Sequence, residues 1–87
     1  MNEQVIEELT SLCKAALAWG RKKGYPVVED YPQYKRARAI GEQIYASAGF
    51  QAMKQTEMMV RERIKSRDNP PTFLLEYGWN GIGEWMA

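Results

Sequence analysis

Between Tyr34 and Ile64 the apolar residues recur at the three-and-four spacing of an α-helix, and the stripe they form changes face at Gly49. Tyr34, Ala37, Ile40, Gly41, Ile44, Tyr45 and Ala48 share one side of a helical wheel. Phe50, Met53, Val60 and Ile64 share another, rotated by nearly half a turn. One straight helix cannot bury both stripes in one small core. The change of face therefore predicts a helix over 31–48, a break at Gly49 and a further helix over 51–66, folded back into a bundle. A glycine at the break can take the left-handed conformation of a helix C-cap, and Phe50 would then meet Tyr45 as the hydrophobic contact of a Schellman ending. The small residues Ala37, Gly41 and Ala48 would let another helix approach closely.

Two more helices flank this pair. Val5, Ile6, Leu9, Leu12, Cys13, Ala16 and Leu17 lie on one face, with Trp19 at its edge, and predict a helix over 3–20. Asn2 is placed to cap it, Gly20 or Gly24 to end it, and Arg21, Lys22 and Lys23 fall where the negative end of the helix dipole favours cations. Residues 24–29 carry a proline and β-branched side chains without helical period and read as an extended connection. Asp30-Tyr31-Pro32-Gln33 resembles a capping box that opens the next helix. Beyond Pro70-Pro71, the side chains Leu74, Leu75, Gly78, Trp79, Ile82, Trp85 and Met86 gather on one face and predict a helix over 71–86. Gly78, Gly81 and Gly83 each oppose it by about 1 kcal/mol, and Asn80-Gly81 is a turn signal at which the segment would split. The expected fold class is all-α, a compact bundle of about four helices (3–20, 31–48, 51–66, 71–86) in a single domain, 1–87.

With 87 residues there is room for one core only. Such a chain buries about 60 to 65% of its unfolded surface, so its stability needs a supplement, and self-association is the obvious one. Disulfides cannot supply it, because Cys13 is the sole cysteine. A lone thiol suits a reducing compartment, and the expected location is cytoplasmic. No run of about 18 apolar residues could span a bilayer. Glu3, Glu7 and Glu8 stand where a signal peptide would carry positive charge, so the chain is expected to begin at Met1.

Net charge is only +1, which argues against a protein built chiefly to coat nucleic acid or an anionic membrane. Residues 21–38 nevertheless sum to +4 between an acidic start, −2 over 1–20, and an acidic end, −2 over 69–87. Within the basic stretch, Arg21, Lys22, Lys23, Lys35, Arg36 and Arg38 alternate with Tyr25, Tyr31 and Tyr34, and aromatic rings among cations can stack bases. These six cations are the candidate contacts for nucleic acid or another anion; solvated helix ends are the bland alternative. A helix-turn-helix does not fit: aligning Gly49 with the turn glycine of that motif puts Tyr45 where alanine is expected and Gln55 where an apolar residue should pack.

Catalytic patterns are missing. There is no histidine, which removes the commonest general base and metal ligand together. Cys13 sits on an apolar helical face and reads as a buried, inert thiol. Glu3 and Glu7, or Glu57 and Glu62, lack the three-residue step of paired magnesium-binding carboxylates, and Gly78, Gly81 and Gly83 lack the strand and the Lys-Ser/Thr of a P-loop. No enzyme activity, metal site or cofactor is expected. Glu57 occupies the one polar slot of the 50, 53, 57, 60, 64 seam. It reads as pairing with Lys54 or Arg61 at the rim of the seam, or alternatively as a buried specificity or catalytic carboxylate.

Three tryptophans and five tyrosines are many for this length, and aromatics anchor both cores and interfaces. Met58 and Met59 lie off the main stripe and suggest an adaptable surface; with Trp79 and Trp85 they form the candidate protein interface. Over residues 37–86, Gly49-Phe50-x-x-Met53 and Leu75-Glu76-Tyr77-x-Trp79-Asn80-Gly81-Ile82-Gly83-Glu84-Trp85 resemble a pattern of small uncharacterised bacterial proteins, with Trp-x-Gly-Ile-Gly-x-Trp as its more specific part. The resemblance implies a compact bacterial domain and no activity. Taken together, the expected function is a non-catalytic helical interaction module that forms a homodimer or binds another protein. The alternative is a nucleic-acid-binding accessory protein using residues 21–38.

Overall fold

In the computed structural model, which describes residues 2–64 and 71–86, the first helix begins where the sequence places its cap. The Asn2 side chain accepts a hydrogen bond from the Gln4 N–H at 2.8 Å, which satisfies one of the orphan donors at the start of α1, Glu3–Lys23. The expected stripe is buried: Ile6, Leu9, Cys13, Ala16 and Leu17 face the core. Gly20 stays inside the helix, and Gly24 ends it in the left-handed region, with the Tyr25 N–H bonded to the Gly20 carbonyl at 2.9 Å.

The connection to the second helix is not simply extended, because Val28–Asp30 forms a 3-10 turn. The Asp30 capping box does not form either. Tyr31 precedes Pro32, whose ring disfavours helical backbone in the residue before it, and Tyr31 accordingly sits at φ −73°, ψ 134°. The second helix, α2, therefore starts later, at Tyr34, and its first bond runs from the Ala37 N–H to the Gln33 carbonyl at 3.1 Å.

Tyr34–Arg63 is one helical element with a single non-helical residue inside it, Gly49, at φ 87° and ψ −177°. The break predicted at Gly49 is thus present, as a kink at which two helical halves meet, and counted as continuous elements the described residues hold three α-helices rather than four. Nor is the conformation that of a left-handed cap: with ψ extended, it lies in a region that only glycine occupies readily. This one residue resets the helical phase. Ala37, Ile40, Gly41 and Ile44 before it and Met53, Thr56, Glu57 and Val60 after it are all buried. Phe50 packs edge-on against Trp85, with ring centroids 6.1 Å apart, while the Tyr45 hydroxyl donates to Glu84 at 3.1 Å. Ala48, placed on the buried stripe by its spacing, is exposed. The helix expected over 51–66 is ordered as α2 through Arg63; its last residues, and Pro70, lie outside the described residues.

The third helix, α3, spans only Phe73–Gly78, not 71–86. Turn bonds take over at Asn80, Ile82 and Trp85, and the Gly81 N–H closes the segment onto the Trp85 carbonyl at 2.9 Å. Gly81 and Gly83, with φ of 91° and 54°, serve as turn residues here. The glycine penalty thus decides against a long helix, and both tryptophans are buried from turns instead.

Trp79 holds the centre of the core and is 0% exposed. Its ring lies on Gly41, where an added methyl would stand 2.4 Å from Nε1, and that nitrogen donates to the Ala37 carbonyl at 2.8 Å. The small residues of α2 therefore admit an indole, not a neighbouring helix. Trp85 meets Trp79 edge-on at 5.1 Å and donates its own Nε1–H to the Glu76 carbonyl at 2.9 Å. At the surface, Glu8 of α1 pairs with Arg36 of α2, and Glu3 with Arg63; each guanidinium holds its partner's carboxyl below the usual carboxylate range, chiefly through the hydrogen bonds it donates. No helix among the described residues is long and apolar enough to cross a membrane.

Two glycine substitutions separate steric from backbone requirements. Gly41→Ala forces a methyl into the indole and is expected to cost about 2–3 kcal/mol in urea unfolding. Gly49→Ala has open space, with nothing within 4 Å of the added methyl. It is nevertheless expected to lose about 1–3 kcal/mol from backbone strain alone.

Candidate functional site

A cleft of about 550 Å³ lies between the Tyr25–Glu29 connection and α3. Two rings form a row beneath it and continue to a third: Tyr31 contacts Trp19 at 4.6 Å between centroids and Phe73 at 5.2 Å, the latter edge-on. Leu17, Pro26 and Val28 add aliphatic lining, and Tyr77 forms the wall on α3. Among the described lining residues, Glu29 is the one charged side chain and Asn80 the one amide.

Local backbone explains how the cleft is held open. Gly24 ends α1, and Tyr25 follows in the left-handed region itself, at φ 55°, the only non-glycine described there. A side chain in that region costs about 1–2 kcal/mol, so surrounding contacts must hold it. Gly20 contributes by omission: a methyl there would fall 2.6 Å from the Tyr31 hydroxyl and 3.1 Å from the Tyr25 ring. The result is a surface that stays apolar at its edge, with Tyr25 53%, Val27 64% and Tyr77 50% exposed. Burial pushes the Tyr31 phenol above its usual pKa, with the Tyr25 phenol adding to the effect, so its hydroxyl stays protonated at neutral pH.

The residues singled out from the sequence fare unequally. Trp79 and Trp85, expected at a protein interface, are buried in the core, Trp79 wholly and Trp85 with 7% of its surface left exposed. Their Nε1–H groups are satisfied inside the chain, as a buried indole requires. Met58 and Met59 are exposed, and Met58 lines a smaller cleft of about 330 Å³ with Lys54, Glu57, Arg61, Glu76, Trp85 and Met86. The six basic candidates do not form one patch of unengaged cations. Arg36 is bound to Glu8 at 2.6 and 2.9 Å. Arg38 donates to the Gly78 and Asn80 carbonyls at 3.0 and 2.9 Å, capping the C-terminal end of α3. Lys22, Lys23 and Lys35 are exposed, as is Arg21, which engages another group of the chain.

Glu57 is paired, as the structural reading of its slot expects, and it is also buried. It pairs with Arg61, whose Nε and Nη2 donate to Oε2 at 3.0 and 2.7 Å, and it is only 6% exposed. The Thr72 hydroxyl donates to the same oxygen, tying the start of α3 to the second half of α2. Nearby, burial first and the Glu57 charge second push the Cys13 thiol up to about 12. No group of three or more potential metal ligands occurs among the described residues.

What sequence reasoning missed is the cleft. Tyr25 and Tyr31 were legible only as rings among cations, and Val27, Phe73 and Tyr77 carried no signal of convergence. Tyr77 offered one clue, being the aromatic residue off the buried face of its helix.

Two measurements follow from this geometry. Cys13 is expected to resist a thiol-specific reagent at pH 8 in the folded protein and to react fully once urea unfolds it. Thr72→Val removes one donor from a buried carboxylate and is expected to destabilise the fold by about 1–3 kcal/mol. Compared with known proteins, the chain matches no family model, no curated protein and no solved structure.

Proposed function

We propose that this chain is a non-catalytic helical interaction module whose partner is a protein docked at the cleft between residues 25–29 and α3. The observation that carries the reading is that the exposed Tyr25, Val27 and Tyr77 line one concavity together with the further rings Tyr31 and Phe73. Contiguous exposed apolar surface on a small domain marks a binding site more often than chance exposure does. Tyrosine supplies such surfaces with large contact area and a polar tip at low entropic cost. A strained Tyr25 backbone adds support, since strain of this kind concentrates at sites where a side chain must be held in place. Rings, aliphatic groups and a single carboxylate suit holding a ligand rather than moving protons.

The test pairs affinity capture with sedimentation, using wild type and Val27→Ser/Tyr77→Ser, both checked for helical content. A protein retained by the wild type is expected to be lost from the variant by about tenfold or more. Should the wild type sediment as a dimer and the variant as a monomer, the partner is a second copy of this chain. Equal retention of the same proteins by both forms, with no change in sedimentation, would show that the cleft is not the interface.

A further inference from the structure

We infer that the cleft between residues 25–29 and α3 takes an arginine side chain of the partner protein, its guanidinium stacked on tyrosine and paired with Glu29. The inference rests on the interaction reading above and names the chemistry of the anchor.

Three features of the lining select it. First, Glu29 is the one charged side chain among the described lining residues, and Arg38, whose guanidinium lies beside Asn80, is already engaged by the Gly78 and Asn80 carbonyls, so an anionic group would meet Glu29 and the negative faces of the rings. Second, a purely apolar anchor would strip water from the Glu29 carboxylate at the cleft and leave it unpaired, whereas a cation turns that desolvation into an ion pair. Third, between the two cationic side chains, guanidinium is planar and weakly hydrated, stacks on aromatic faces and bridges a carboxylate through two N–H groups, whereas a compact ammonium holds its water more tightly. Tyr25 and Tyr77, both half exposed, line the cleft from two elements, the connection and α3. The aliphatic stem of an arginine would lie along Val28 and Pro26 while its head reaches Glu29.

The probe is a capped Gly-Arg-Gly tripeptide against the same peptide with citrulline, which keeps the planar shape and loses the charge. Each is titrated into the full chain at low salt and followed by NMR of the aromatic and methyl groups. The arginine peptide is expected to bind in the millimolar range and to shift Tyr25, Val27, Phe73 and Tyr77, with citrulline about tenfold weaker. Glu29→Gln and Tyr77→Leu are each expected to weaken the arginine peptide by about fivefold, the second while keeping an apolar wall. Citrulline binding as tightly as arginine, shifts confined to other surfaces, or no shifts up to about 50 mM peptide would each overturn the inference. If capture depends on Val27 and Tyr77 but the arginine peptide fails, only the anchor chemistry is wrong. If the peptide binds the cleft while capture ignores those residues, the docking reading is the one that fails.

Discussion

The indole of Trp79 touches the parts of this chain that must be brought together for it to fold at all. It leaves the end of α3, lies flat on Gly41 in the first half of α2, bonds the Ala37 carbonyl and meets Trp85 in the closing turn. A core this small has few large side chains to share among its elements, and the fully buried tryptophan is the largest of them. Its position dictates two absences elsewhere: Gly41 can carry no side chain, and no second helix can occupy that face of α2. Arg38 reinforces the same junction from outside, where its guanidinium covers the last carbonyls of α3.

The kink at Gly49 solves a different problem, which is how one helix can present two opposed faces to one core. Ending the helix and starting another would need a loop and two sets of caps. A single residue in a glycine-only conformation avoids the loop: it interrupts the helix and turns the second half to the core directly. The closing turn then spans the kink, with Tyr45 held by Glu84 on one side and Phe50 by Trp85 on the other. Gly83 is pressed so close to the Tyr45 ring that a methyl would fall 2.3 Å from it.

Periodicity made the helices legible, and the particular residues show where it stopped being sufficient. The α1 face, the Asn2 cap and the position of the Gly49 break could be read from spacing, because burial of one face and local capping are properties of neighbouring residues. The start of α2 was legible in principle, since Pro32 restricts Tyr31, but the capping-box pattern of Asp30 and Gln33 pointed the other way. The length of α3 depended on whether packing of Trp79 and Trp85 would outweigh three glycines. Burial turned out to be available without helix, so nothing opposed the turn. The cleft was not legible because Tyr25, Phe73 and Tyr77 converge only through tertiary packing, and because the backbone of Tyr25 departs from what a tyrosine prefers. The same limit applies to the basic residues, whose engagement by Glu8 and by the α3 carbonyls joins positions distant in sequence.

One wall of the cleft belongs to a helix six residues long. Isolated helices shorter than about 12–15 residues are marginal in water, so α3 owes its existence to Trp79, Thr72 and Arg38 rather than to its own backbone. The cleft therefore cannot outlast the globule: whatever loosens the C-terminal segment also erases the groove. By mass action, an occupant of that groove would in turn hold the whole chain native. Occupancy and folding would then form a single equilibrium, and in a domain of this size the concentration of the occupant would help to set how much native protein exists.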